Sequence, residues 1–570
     1  MLDWELATIG DPIADLAYAC VPYHVPQEGF LTPFALVSKH TGALAVGIPT
    51  EKDFIAAYKA SLVAAGGTPY TYSDSDWTFY IALGMFRMAS IASGVFVRAK
   101  LGNASQGASG VAQAYGDAVP ILAKKALHLL KSTDTNGVDS SIGGSEVTDS
   151  FGAGSSGYTP SARCTEYLRR LRSFVDSCVI PAETTLIAHH SADNSARWER
   201  HPQSEALVEE AQRRGLFNLW IPPHLLRLLM DEHPGWDWKS LVPHCDPSRE
   251  DRGGFSNLDY TFLAEESGRS LFCAEAINCA APDTGNMEII GKFGNREQRE
   301  RFLRDLLLGK TRSCFGMTEP AVSSSDPTQL SGTATKRDDG TYIIDGTKWW
   351  TSGACDARCS VCIYVARTGA RDDAVGDRRL LYRQHSLFLV PMRSAGIRVL
   401  RPLTVFGFDD APGAHAEVAF DKVSVGSDAL LGGLGQGFEY AQIRLGPGRL
   451  HHCARLLGMG ERSLQAVAER GSRRTAFGRP LLTLGGNRER LARGRVALRQ
   501  AQLVVYAAAA ELDRDAATEQ ERGSAALSHR CKHALAVCKV AVPTAIQTLT
   551  DFAIQIHGGG GLSSDHPLSA

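Results

Sequence analysis

Apolar residues recur at helical spacing through the first part of the chain. In "FYIALGMFRMASIASGVFVRAKLG", from Phe79, they return every three to four positions, which predicts a helix. The pattern then stops. "KSTDTNGVDSSIGGSEVTDSFGAGSSGYTPS", Lys131–Ser161, is rich in Ser, Gly, Thr and Asp. It has too few large apolar side chains to offset its ordering entropy, so residues 131–161 read as a flexible linker. From Ala162 the helical pattern resumes in "TEYLRRLRSFVDSCVIPAE", "SEALVEEAQRRGLFNLWIP" and "NREQRERFLRDLLLG". Near Cys314 the period shortens. "TATKRDDGTYIIDGTKWWTSG", "HSLFLVPM" and "AEVAFDKVSV" predict strands, punctuated by Asp-Gly turns. Helices return at about Gly437, where Leu450, Ala454, Leu457, Leu464 and Val467 form one apolar stripe. The last helical stretch contains Pro543, which predicts a kink or a split.

Composition narrows the class. The 570 residues carry a formal net charge of −2 and are 44% hydrophobic, as in an ordinary soluble protein. That balance provides no field for nucleic acid. No long uncharged apolar run stands out, so no transmembrane segment is expected. The opening "MLDWELATIGDPIADLAYAC" has no early Lys or Arg, and "LSA" at the end is no recognisable peroxisomal address. The 13 cysteines are scattered, which points to a reducing compartment. Cys359 and Cys362 have CxxC spacing without a matching second pair. In a strand, that odd spacing predicts side chains on opposite faces.

Three loops carry candidate chemistry. "CFGMTEPAVSSSDPTQ", Cys314–Gln329, offers hydroxyls and free backbone N–H groups to a ring carbonyl or a phosphate. "GTKWWTSGA", Gly346–Ala354, could wall a flat aromatic ligand with its tryptophans. "ERGSRRTAFGRPL", Glu469–Leu481, ends a helix with arginines whose planar forks suit a pyrophosphate. Alone, each has a bland explanation: a surface turn, core tryptophans, solvated helix-end cations.

Together, and in this order, they resemble the acyl-CoA dehydrogenase family. "FGMTEPAVSSSD" is similar to its first FAD signature, "KWWTSG" to its second, "RRTAFGRPL" to a later flavin-contacting turn, and "QIHGGGG" to its C-terminal glycine motif. The resemblance covers roughly Ala162–Ala570 and is closest to the large two-part members numbered ten and eleven. In those, a kinase-like domain of the aminoglycoside-phosphotransferase type precedes the dehydrogenase. "LDWELATIGDPIADLAYA" resembles that domain's metal-binding segment, with Asp3 at the metal-ligand position. The implied fold is α+β and multidomain. It has a partial kinase-like lobe (1–130), a linker (131–161), an N-terminal helical domain (162–313), a middle β domain (314–436) and a C-terminal helical domain (437–570).

The resemblance implies FAD as cofactor and α,β-dehydrogenation of an acyl-CoA thioester in fatty acid β-oxidation. It places Phe315, Met317 and Thr318 against the isoalloxazine ring, and Ser324 or Ser325 at cofactor or substrate. Trp350, Thr351 and Ser352 fall in the second signature, with Ser352 near flavin N5. Arg449 falls near the substrate. Arg474 and the Gln555–Gly559 segment, with Gly558, would reach the FAD of a neighbouring subunit, so a homodimer or homotetramer is implied. An electron-accepting flavoprotein and a mitochondrial or peroxisomal setting follow in the same way. The chain departs from the family pattern at the base. The usual Glu lies beyond the glycine motif, after Ala570, and the alternative position is Gly448. Glu439 and Glu461 have no warrant as substitutes. In "LTLGGNRER" glycines replace the usual His or Gln contact. Both ends look cut, and no kinase activity is expected without an ATP lobe. Two alternatives therefore stand beside the dehydrogenase: a flavin-binding subunit lacking the base, and the dehydrogenase half of a hydroxyacyl-CoA-processing kinase fusion.

Overall fold

The computed structural model describes residues 12–26, 31, 35–36, 44, 47–64, 72–100, 112–132, 158–369, 378–518, 526–563, 566 and 568. The chain forms two compact units, Met1–Thr148 and Asp149–Ala570. Asp3 and most of the predicted linker lie outside the described residues.

The first unit contains α1 (Pro12–Cys20), α2 (Glu51–Ala64), α3 (Asp74–Lys100) and α4 (Ala112–Ser132). Its core gathers Ala17 and Cys20 of α1, Ile81, Met85 and Ala89 of α3, and Leu122 and Ala126 of α4. The stretch Asp76–Val97 is long and apolar enough to cross a membrane, by length and composition only. The sequence pattern did not signal it because Arg87 interrupts the run. Part of its apolar surface is spent on this unit's own core.

The second unit is built in three parts. Its helical part holds α5 (Ala162–Phe174), α6 (Ile180–His190), α7 (Pro202–Arg213), α8 (Pro223–Glu232), α9 (Asn257–Ser267) and α10 (Asp283–Phe293). A π turn, Val175–Val179, joins α5 to α6. The sheet has strands β1 (Arg312–Gly316), β2 (Thr333–Lys336), β3 (Tyr342–Ser352), β4 (Cys359–Arg367), β5 (His385–Pro391), β6 (Ile397–Leu403), β7 (His415–Val425) and β8 (Leu430–Leu431). Their order is β6-β7-β3-β2-β4-β5-β8, with β1 parallel to β4. A small hairpin, β9 (Thr475–Ala476) and β10 (Arg479–Pro480), interrupts the final helices α11 (Gly437–Arg473), α12 (Gly485–Ala517) and α13 (His529–His557).

β4 is buried on both faces. Val361, Ile363 and Val365 join the core shared with the helices, whereas Tyr364 and Ala366 face the core of the β domain. Cys359 and Cys362 both lie in that second core, with Cys314, which corrects the expectation of opposite faces. The register explains it: Arg312 pairs with Cys359 but Ser313 pairs with Val361. The extra residue, Ser360, forms a bulge and resets the alternation. These thiols are free, and no group of three or more His, Cys, Asp or Glu side chains among the described residues is arranged to hold a metal.

The apolar stripe on α11 is fully inward: Leu450, Ala454, Leu457, Leu464 and Val467 are all buried. α13 runs unbroken through Pro543, so the predicted split does not occur. α11 reaches α9 at glycine. A Cβ on Gly458 would strike the Glu265 carbonyl, and one on Gly268 would strike the Arg455 backbone. Polar ties then lock the helices. Glu183 of α6 takes both Nη groups of Arg462 of α11, at 2.5 and 2.6 Å, and the Ser270 hydroxyl at 2.6 Å. Asp513 of α12 accepts the N–H groups of Asn257 and Leu258 at 2.7 and 3.0 Å, satisfying the open N-terminus of α9.

Glu265 sits where α9, α11 and α12 meet, accepting from the Tyr506 hydroxyl at 2.6 Å and the Gln502 amide at 2.7 Å. Burial pushes its carboxyl up to about 7, the two hydrogen bonds opposing this only in part. A raised carboxyl contributes stability that is complete below the unfolded value, near 4.5, and is lost as pH rises through about 7. Glu265→Gln therefore melts higher than the native chain above pH 7 and converges with it near pH 5, as measured by thermal denaturation across that range.

Candidate active site

The first signature loop leaves β1 at Gly316 and is held by a buried ion pair. Lys348 of β3 and Glu319 have essentially no exposed side chain. Lys348 Nζ donates to Glu319 Oε1 at 2.7 Å and to the Val365 carbonyl at 2.8 Å. Glu319 Oε2 accepts from the Ser331 N–H and hydroxyl at 2.8 and 2.6 Å, and Oε1 from the Gly332 N–H at 2.9 Å. Burial lowers the Lys348 ammonium and Glu319 only partly restores it; the Glu319 carboxyl, despite burial, is held below its usual range by Lys348 and Ser331. Every charge in the pair has a partner, which is the condition for burying it.

This pair aligns the two signatures. The Thr318 hydroxyl donates to the Trp349 carbonyl at 2.6 Å, and the Trp349 N–H donates back to the Thr318 carbonyl at 3.0 Å. The N–H groups of Met317 and Thr318 have no partner among the described residues. They form a ready donor pair for an oxygen atom of a bound group. The β3–β7 register slips between Lys348 and Thr351, and Trp350 takes φ 51°. That bulge turns the Trp350 ring outward, 41% exposed, against the expectation for a core tryptophan. Ser352 presents its hydroxyl to His415 Nδ1 at 2.7 Å. Thr351, expected at the cofactor, is fully buried instead, and its hydroxyl finds no partner among the described residues.

Contacts distinguish Ser324 from Ser325. Ser324 Oγ accepts the Glu319 N–H at 2.8 Å and donates to the Glu319 carbonyl at 3.2 Å, so it braces the loop. Ser325 is exposed and meets only Ser323, at 3.2 Å. Phe315 is covered by a residue that motif reading missed. The Arg444 guanidinium lies 4.0 Å from its ring centroid. Arg444 Nε donates to Asn286 Oδ1 at 2.8 Å, Asn286 Nδ2 to Ser313 Oγ at 2.9 Å, and Ser313 Oγ to Asp283 Oδ1 at 2.6 Å. Burial lowers the guanidinium to about 10, with Glu288 and Asp283 acting in the opposite sense. Its place in "QIRLGPGR" gave no hint, because a lone arginine in a helix reads as solvated.

The remaining predicted residues stand apart. Arg444 and Arg474 are 30 positions apart along α11 and its cap, roughly 45 Å at 1.5 Å per residue. Arg474 is exposed at that far end, beside the hairpin whose tip, Phe477, is 93% exposed. Gln555 is exposed near the end of α13, and Gly558 takes φ 63°. A Cβ on Gly559 would meet nothing within 4 Å. Arg449 is half-buried and has no ion-pair partner among the described residues. Glu439 is exposed, and Glu461 is paired with Arg495. Asp283 is bound to Arg312 at 3.1 Å and to Ser313. The wall thus has flat surfaces, backbone donors and a hydroxyl–imidazole pair, and the carboxylates of Asp283 and Glu319 are engaged.

These groups fit a flavin: paired N–H groups for a ring carbonyl, the exposed Trp350 ring and the Ser352 hydroxyl two residues on. Comparison with known proteins agrees. Residues 314–423 match the family model for the acyl-CoA dehydrogenase middle domain, and residues 435–570 that for its C-terminal domain. The mouse protein named acyl-CoA dehydrogenase family member 10 is 36% identical over the whole chain, which spans 51% of it. The Mycobacterium tuberculosis protein named probable acyl-CoA dehydrogenase FadE2 is 38% identical over 72% of the chain and 90% of its own length. The Mycobacterium abscessus structure named "putative acyl-CoA dehydrogenase" matches 72% of the chain and 92% of its own, with 42% identity and a TM-score of 0.62. The chain spans about half to two thirds of the length of the first curated relatives.

The buried pair supports a direct test of what aligns this wall. Lys348→Met leaves the Glu319 carboxylate uncompensated and costs about 3–5 kcal/mol of stability. Adding Glu319→Gln to it recovers much of that loss. Urea unfolding of the single and double variants checks both statements.

Proposed function

The chain belongs to the acyl-CoA dehydrogenase family, and on that premise we propose that it binds FAD and carries out α,β-dehydrogenation of an acyl-CoA thioester. The observation that carries the proposal is the pair of N–H groups at Met317 and Thr318, unpartnered among the described residues and tied through Thr318 and Trp349 to the strand that carries the outward Trp350 and the Ser352 hydroxyl. When bound, the flavin supplies the hydride acceptor. Met317 and Thr318 fix the ring through their amides, Phe315 and Trp350 bound its faces, and Ser352 meets its N5 edge. Arg449 lies toward the thioester. Hydrogen bonding to the thioester oxygen lowers the cost of the developing enolate, so orientation here governs rate.

Arg474, Gln555, Gly558 and Gly559 serve the flavin of a second copy. Their distance along α11 from the Phe315 wall, and the open space around Gly559, support that reading. A homodimer then has two composite sites, and an electron-accepting flavoprotein reoxidises each. The unit before residue 149 is read as phosphotransferase-like.

A weakly acidic α-proton demands a positioned carboxylate. Asp283, Glu319 and Glu461 are engaged and Glu439 is exposed, which favours a second reading, a flavin-binding subunit without turnover. Anaerobic mixing with a panel of acyl-CoAs separates the two: flavin bleaching supports the dehydrogenase, and its absence across all chain lengths supports the subunit.

Purified protein supplied with FAD should retain flavin absorbance through gel filtration. Met317→Pro deletes one donor and should weaken FAD binding by about tenfold. A chain that takes up no FAD overturns the proposal.

A further inference from the structure

We propose that Ser352, His415 and Asp410 form a proton relay that carries the flavin N5 proton to solvent during reoxidation. The inference rests on the reading above, in which Ser352 meets N5, and adds a role for two residues that no sequence motif marks.

The geometry is specific. Ser352 ends β3 and His415 begins β7, and the two are register partners. Ser352 Oγ lies 2.7 Å from His415 Nδ1. On the other side of the ring, His415 Nε2 lies 3.8 Å from Asp410 Oδ2. Exposure rises along the series: the His415 side chain is 34% exposed and that of Asp410 79%. The Trp350 ring, 5.8 Å from the imidazole, flanks the same side.

Local backbone holds these groups in place. The bulge between Lys348 and Thr351 sets the face on which Ser352 points. Asp410 and Ala414 both take left-handed backbone, at φ 55° and 48°. The Ala414 N–H donates to the Asp410 carbonyl at 2.7 Å, and the Gly353 N–H to the Ala414 carbonyl at 2.9 Å. Asp409 is paired with Arg197, which anchors the loop to the helical part. Strained non-glycine backbone of this kind persists where surrounding structure over-determines it. The other charges near the ring are accounted for. Glu417, on the same strand, pairs with Arg401 of β6, and His190 is near enough to Asp410 to feel its charge. Asp410 is the carboxylate that faces the ring.

Reoxidation requires an exit for a proton. Taking two electrons from an anionic reduced flavin would also release one proton, the one on N5, and Ser352 is the hydroxyl placed to receive it. Ser352 Oγ takes that proton while its own hydroxyl proton passes to His415 Nδ1. His415 Nε2 then releases a proton to Asp410 and water. Two electrons and one proton would depart; Ser352 regains its hydroxyl, and His415 is left as the other tautomer, which a ring flip or proton exchange with water resets. A hydroxyl alone cannot do this, because it is a poor base; the imidazole supplies the basicity.

The test uses FAD-loaded protein reduced by light, so that no acyl-CoA or base is needed. Stopped-flow mixing with ferricenium, which accepts electrons and no proton, reads reoxidation against pH in H2O and D2O. The native chain should show a rate that rises with pH along one ionisation, and a solvent isotope effect. His415→Gln should slow reoxidation by roughly a hundredfold and flatten the pH dependence. His415→Gly should respond to added imidazole with a faster rate. Reoxidation of His415→Gln within twofold of native, with the same pH profile, overturns the relay while leaving flavin binding intact. A native chain that stays colourless with FAD overturns the underlying reading and the relay with it.

Discussion

The ion pair between Lys348 and Glu319 is the constraint on which the rest of the site depends. Both charges are buried, so neither can be satisfied by water, and the chain must bring every remaining partner to them. The partners are backbone groups: the carbonyls of Met317 and Val365, and the N–H groups of Ser331 and Gly332. Satisfying two charges therefore fixes the loop after β1, the start of β2, and the positions of β3 and β4 relative to one another. The Tyr364 ring closes over the ammonium at 4.5 Å. Two signatures separated in sequence become one wall because a buried charge tolerates no slack.

α11 extends that logic. One end covers Phe315 with Arg444, which is itself held through Asn286 and Ser313 to Asp283. The other end presents Arg474 and the exposed Phe477 hairpin to solvent. One 37-residue helix thus carries Arg444 near one end and leads to Arg474 at the other, too far apart to serve one wall. A rigid spacer of this kind suits a composite site formed between copies, where each copy completes the other.

Much of the fold was legible. The switch from helical to strand period near Cys314, and back near Gly437, matches β1 and α11, and the stripe from Leu450 to Val467 is the buried face. The signature loops were legible as donors and aromatics. Illegible were the features that depend on register. Bulges at Ser360 and Trp349–Trp350 move Cys359 onto the face of Cys362 and turn Trp350 outward, and no local propensity announces them. Thr351 was grouped with its neighbours by motif, yet strand alternation buries it. Pro543 was expected to kink or split α13, and the split does not occur: the helix runs on from His529 to His557. Here packing against α11 and α12 prevails over local preference.

By itself, the sequence determined the order of helical and strand segments, the apolar faces and the family, because periodicity and short motifs are local properties of the chain. Only the tertiary structure decided which polar groups are spent and which are free. Glu319, Asp283 and Ser324 are consumed by partners distant in sequence or by the loop itself, whereas the Met317 and Thr318 amides are left open. The reason is physical: a buried polar group must be paired, and its partner is set by spatial neighbours that one-dimensional spacing does not contain. His415 reached Ser352 in the same way, through strand register across a sheet.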